Sequence, residues 1–201
     1  MLRSPVLRPA TPSDARFIAW GLDEAADGFF ASLLGRRSAA ILTTLARQQD
    51  HAYSHQHAVL ADVAGEPAGF CQGFAFGTPD GNGALLRAAG LAALRAGAVT
   101  VLGRPLLEAL DHHEPGQWYL QAVAVRPQAR GTGVGQLLLV DAFDRARRAD
   151  CGALALDVDV ANTRARTLYE RLGLVVTATS KPARLLDGAQ VHRMVGPVPD
   201  R

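Results

Sequence analysis

Gln128, Ala129, Arg130, Gly131, Thr132, Gly133, Val134 and Gly135 follow an apolar stretch at 118–125 and open an amphipathic one at 134–149. The stretch reads as a strand, a glycine-rich turn and a helix. Alternate glycines let successive backbone N–H groups turn toward one point, and the helix adds its own unpaired N–H groups and the positive end of its dipole. Such a turn is a seat for a pyrophosphate. The spacing excludes two better-known phosphate binders. A dinucleotide fold places its third glycine where Gln136 stands, and no Lys followed by Ser or Thr supplies a Walker lysine. What remains is Arg130 followed by Gly133 and Gly135, the form Q/R-x-x-G-x-G/A.

Working outward, Val134, Leu138, Ala142, Ala146 and Ala149 recur at helical spacing, so one side of that helix is built to lie on a sheet. Leu154, Leu156 and Val158 alternate in the strand that follows. Upstream, residues 6–8 form a short strand. Thr11, Pro12, Ser13 and Asp14 start a helix through Ala25, and a second helix covers 29–49. Residues 58–63 and 68–76, linked by 64–67, read as an antiparallel hairpin. Residues 84–110 suggest two helices, broken near 97–105, that are inserted between the third and fourth strands. A helix over 162–172 stops at Gly173, and strands at 174–179 and 191–195 close the chain around a loop at Asp187 and Gly188. The expected fold is a single α/β domain over 1–201. Its central sheet has about six to seven strands, mixed but mostly antiparallel and flanked by helices, with a helical insertion at about 78–117.

Downstream, Asn162, Thr163, Arg164, Ala165, Arg166, Thr167, Leu168, Tyr169, Glu170, Arg171, Leu172, Gly173 and Leu174 form the second informative stretch. Asn162 and Tyr169 are seven residues apart, roughly 10 Å along a helix and nearly on the same face. Taken alone, Asn162 reads as a helix N-cap and Tyr169 as a packed aromatic. Taken in order after the glycine turn, the two stretches resemble the paired motifs of the GNAT superfamily of acetyl-CoA-dependent N-acetyltransferases. The match runs from about residue 119 to 174 and departs at Leu174, where Phe is commoner.

The resemblance implies a set of roles. Arg130, Gly131, Thr132, Gly133, Val134 and Gly135 would hold the pyrophosphate of acetyl-CoA, and the backbone of Ala122, Val123, Ala124 and Val125 would pair with its pantetheine arm. A bulge would splay this strand from its parallel neighbour at 154–159, and Asn162 would bind the arm or a linked water. Tyr169 would be the general acid for the departing thiolate, and the Val123 N–H the partner of the thioester carbonyl. Tyrosine suits this chemistry, because its ordinary pKa near 10 matches a thiolate and it donates without carrying charge. A lysine-like amine at pH 7 is neutral only about once in a thousand, so alkylamine acceptors need a base or a water chain. Asp157, Asp159, Glu114, His112 and His113 are candidates near the strand ends, with Glu114 and Asp159 taken as catalytic. By the resemblance, Gln121 lies where some family members carry a polar or acidic residue facing the acceptor, and it cannot itself be a base. Two alternatives stay open: a non-catalytic acyl-CoA-binding module, and a transferase of longer acyl groups.

Composition bounds the partners. A net charge of +2 across 201 residues, with both signs interspersed, argues against nucleic acid. The run at 84–110 is interrupted by Arg87, Arg95, Arg104 and Glu108 and makes no simple membrane span. The N-terminus shows no secretory signal, and two cysteines, Cys71 and Cys151, imply no disulfide framework. A cytoplasmic setting without a metal is therefore expected. The partners are acetyl-CoA and an amine acceptor, small molecule or protein, with a homodimer left open. Asp23, Glu24 and Asp27 form either a solvated helix end or a lure for a cation.

Overall fold

The structure, a computed structural model, describes residues 4–77, 81–89, 114–182 and 189–199. The segment at 90–110, His112, His113 and the loop at Asp187 and Gly188 lie outside the described residues.

The first strand, β1 (Val6–Pro9), leads into a 3-10 turn at Pro12–Asp14 and then α1 (Ala15–Ala25). The Asp14 carboxylate closes this corner, accepting the Thr11 N–H at 2.8 Å and two bonds from the Arg8 guanidinium at 2.8 and 2.9 Å. One face of α1, with Ile18 and Leu22, packs on the sheet, so closely that a Cβ on Gly21 would lie 2.4 Å from the Phe70 ring. The single helix expected over 29–49 is instead α2 (Phe29–Leu34), a 3-10 turn at Gly35–Arg37 and α3 (Ser38–Arg47). Gly35 takes φ 64° and ψ −150°, a conformation a side chain disfavours, and apolar spacing alone does not register such a break.

Next come β2 (Ala58–Val63) and β3 (Glu66–Ala75). The hairpin link is shorter than the expected 64–67, because Glu66 and Pro67 already pair with Val63 and Asp62. Ala64 and Gly65 alone turn the chain, both with positive φ. Helix α4 (Gly81–Ala89) begins the connection to β4 (Gln117–Val125). The chain continues through α5 (Val134–Arg148), β5 (Ala153–Asp159), α6 (Thr163–Arg171), β6 (Val175–Thr179) and β7 (Val191–Pro197).

The seven strands form one sheet in the order β1-β2-β3-β4-β5-β7-β6, antiparallel except for the β4–β5 pair. This is the mixed, mostly antiparallel sheet the sequence implies. Helices α1 to α4 cover one face, where Ile18, Leu42, Leu45 and Phe70 form a core; α5 and α6 cover the other, over Leu138, Leu154, Leu156 and Met194. Strand β4 serves both. Trp118 and Leu120 belong to the α5 side, whereas Ala122 and Ala124 belong to the α1 side. Strict alternation would keep all four on one face. The switch falls where Gln72 pairs with Ala122 and Gly73 with Leu120, leaving Gln121 as the extra residue of a β-bulge. Among the described residues, no helix is long and apolar enough to cross a membrane.

Candidate active site

Below the bulge, β4 and β5 pair from Gln117 opposite Ala153 to Leu120 opposite Leu156. Beyond it, β4 follows β3 to Val125 opposite Gly69, while β5 follows β7 to Asp159 opposite Val191. The two strands therefore part into a wedge. The Arg126 N–H donates to Ala68 O on the β3 side at 2.8 Å, so alternation turns the amides and carbonyls of Val123 and Val125 toward the wedge. Among the described residues no strand pairs with this edge, which offers the Val123 and Val125 N–H groups and the Val123 carbonyl to an extended ligand, the Val125 carbonyl already accepting from Arg130. The vertex is tied by side chains. Tyr119 Oη donates to Asp157 Oδ2 at 2.9 Å, and Arg193 Nε donates to Asp157 Oδ1 at 2.8 Å. Burial pushes the Asp157 carboxyl up, with Arg193 pulling it back, and burial likewise pushes the Tyr119 hydroxyl well up.

The glycine turn sits at the wide end. Gly131 and Gly133 have φ 78° and 89°, and Thr132 Oγ1 donates to Ala129 O at 2.7 Å. These left-handed residues aim the first amides of α5 outward, and its first turn carries no acidic side chain to neutralise them. A Cβ on Gly135 would meet nothing closer than Val125 Cγ2 at 3.6 Å. Arg130 Nε donates to Val125 O at 3.1 Å and its Nη2 pairs with Glu24 at 2.7 Å, joining the turn to α1. The Arg126 guanidinium stacks 5.0 Å from the Phe17 ring centre and 5.1 Å from that of Trp20.

On α6, Asn162 Oδ1 accepts the Ala165 N–H at 3.0 Å, so its oxygen caps the helix and its NH2 end is the part left for a ligand. Tyr169 is half-buried on the α5 side of the sheet, packed with Leu168 and Leu172 on the core there. Burial, helped by Cys71, pushes its hydroxyl up to about 12. Cys71 is wholly buried and its thiol is pushed up to about 11, far from a reactive thiolate.

The acidic candidates separate. Asp159 ends β5 at the mouth of the wedge, its Oδ1 accepting the Ala161 N–H at 2.7 Å. Asp27 feels it: burial first, then Asp159 and Glu24, raise the Asp27 carboxyl above its ordinary value. Asp23 instead binds the α2 backbone at Ala31 N, 2.9 Å away, and Glu24 holds Arg130. Of the three acids, Asp27 is the one brought toward Asp159. An open groove of about 950 Å³ lies between α1 and α3, lined by Trp20, Glu24, Asp27 and Arg47 among others. Glu114 is exposed on the turn before β4, bonded to Gln117 Nε2 at 3.0 Å. That is the closed end of the β4–β5 pair, so the structure does not bring Glu114 to the wedge.

Sequence reasoning missed Arg193, the tie made by Tyr119, and the cluster after α3. There His51 and His55 are buried, and the half-buried His57 lies against Phe74 with ring centres 5.5 Å apart. Burial lowers the pKa of His51 and His57. The tie leaves one trace in the sequence, a charged Asp157 set among alternating apolar residues.

The chain belongs to the acetyltransferase (GNAT) family, whose sequence profile matches residues 23–174. Both motif stretches fall inside that match. Among solved structures, an acetyltransferase superposes with a TM-score of 0.67 at 22% identity, over 96% of this chain and 100% of the other. An N-acetyltransferase from Staphylococcus aureus Mu50 gives 0.67 at 15% identity, over 94% and 99%. A chain from the NatC complex bound to Gag peptide and CoA gives 0.58 at 17%, over 96% and 98%. At these identities the likeness is one of fold. A search of curated proteins found no match.

Proposed function

We propose that this chain is a single-domain N-acetyltransferase that binds acetyl-CoA and passes its acetyl group directly to a primary amine. The observation that carries the reading is the wedge between β4 and β5. The wedge-facing edge at Val123 and Val125, which no strand pairs among the described residues, leads to the amides at 131–135 that open α5. The diphosphate would sit on those amides and the pantetheine arm would add to the edge of β4, with the NH2 end of Asn162 beside it. The Val123 N–H would receive the thioester carbonyl as it gains charge. Helices α5 and α6 lie on one face of the sheet, so the cofactor enters from there and the amine approaches from the face of α1 to α3.

Tyr169 lies on the cofactor side and is the group for the departing sulfur. With its pKa pushed up to about 12, it stays protonated and ready to donate throughout the neutral range. Asp159 is the base we assign to the amine; the charges of Asp159 and Glu24, which add to burial in raising the Asp27 carboxyl, make a negative field that favours a cation. Small-molecule and protein amines both fit the open mouth.

The test is calorimetric titration with coenzyme A, joined to a thiol-release assay over a panel of amines. Coenzyme A uptake and thiol release are expected; no uptake at all overturns the reading. Tyr169→Phe should keep coenzyme A affinity within about twofold and lose about 10²–10⁴-fold in kcat. In the unmodified enzyme kcat should show no alkaline loss from Tyr169 below its value of about 12. A Tyr169→Phe variant with full turnover would assign the proton to another acid, and coenzyme A uptake without any thiol release would leave a binding module.

A further inference from the structure

Gln72 is wholly buried in the middle of β3, between Phe70 and Phe74 on the face toward α1 to α3. An apolar side chain would fill that position at lower cost. Its Nε2 donates both hydrogens, one to Ala52 O and one to Gln121 Oε1 at 3.0 Å. Its own Oε1 is buried and has no partner among the described residues. A buried acceptor left unmatched is a penalty that folding alone does not ask for, and such groups concentrate where function demands them.

Gln121 is the extra residue of the bulge, half-buried, placed between the Tyr119–Asp157 tie and the wedge-facing Val123 amide. Because its Oε1 is held by Gln72, the planar amide has one orientation, with its NH2 end directed away. Among the described residues none accepts from that end. This is also the face from which the amine arrives in the proposed reaction.

We infer that Gln72 is a positioning residue that locks the Gln121 amide with its NH2 end toward the acceptor, where it reads a carbonyl oxygen adjacent to the reacting amine. The inference rests on the N-acetyltransferase reading above. Its consequence is a preference for α-amino amides, the chemistry of a peptide N-terminus or an amino acid derivative, over plain alkylamines. An oxygen-free amine leaves the Gln121 donors unmatched at the moment the site closes on it, and a site built to bond one polar group discriminates most against ligands that lack it.

The experiment compares glycinamide with propylamine as acceptors in the unmodified enzyme, in Gln72→Met, in Gln121→Met and in the double variant. The ratio of kcat/KM for the two amines is the readout, since intrinsic differences in amine basicity cancel between enzymes. Gln72→Met should lower the glycinamide-to-propylamine ratio about tenfold, chiefly through the amine KM, with KM for acetyl-CoA unchanged. Gln121→Met should do the same, and the double variant should be no worse than either single one, since both remove one device. Thermal melting of the four proteins should show the same non-additivity without reference to activity. An unchanged ratio in Gln72→Met, or effects that multiply in the double variant, overturns the inference. Coenzyme A uptake by the unmodified chain tests the acyl-transfer reading separately.

Discussion

At the scale of single residues, the glycines of the turn divide into those the backbone needs and one that the proposed diphosphate contact needs. Gly133 holds φ 89°, where a Cβ costs about 1–2 kcal/mol, so Gly133→Ala should lower stability by that amount in a denaturant titration. Gly135 is helical, with only Val125 Cγ2 near its absent Cβ. Gly135→Ala should therefore leave the melting temperature level or slightly raised while weakening coenzyme A about tenfold or more by calorimetry, because the methyl would stand where main chain and diphosphate meet. The opposite pattern, a destabilised protein with full affinity, would place the diphosphate elsewhere. Asn162 teaches the complement. Its oxygen caps α6, as its own chemistry suggested, so the residue serves the helix and leaves only its NH2 end for the proposed cofactor contact.

Among the elements, β4 was legible from its own residues as a strand, whereas its bulge was expected only through the family resemblance. Its burial alternates through every residue, so the hydrophobic pattern carries no sign that Gln121 hands the strand from one face to the other. The glycine turn, α5, β5 and the cap of α6 were legible because each depends on local chemistry: glycine geometry, helical spacing, alternation, an Asn at a helix start. Gln72, Arg193 and the Tyr119 tie were not, since their roles exist only once distant strands are neighbours. The same holds for Gly73, whose missing side chain makes room for the Trp118 ring; a Cβ there would lie 2.1 Å from it. Trp118 is 3% exposed and has nowhere to move. Gly73→Ala should thus cost about 1–3 kcal/mol and perturb the indole fluorescence; a silent substitution would mean that the ring sits elsewhere.

Over the whole molecule, acid should loosen the corner where β1, β2 and α1 meet. Arg8 binds Asp14 and also Asp62 at 2.7 Å, and hydrogen bonding from Arg8 holds the Asp14 carboxyl down at about 2. Its folded value lies below the unfolded one of 3.8, so the unfolded chain binds the extra proton. The stabilisation is complete above that unfolded value and disappears as pH falls toward about 2. Asp14→Asn should melt lower than the unmodified protein at pH 7, with the gap closing on acidification; a pH-independent gap would assign the loss to packing. The reach of the bulge is wider still. Because one strand contributes Trp118 and Leu120 to one hydrophobic layer and Ala122 and Ala124 to the other, neither layer can melt without pulling its shared member out of the second. The irregularity that parts β4 from β5 is thereby also the seam that makes the two halves denature as one cooperative unit.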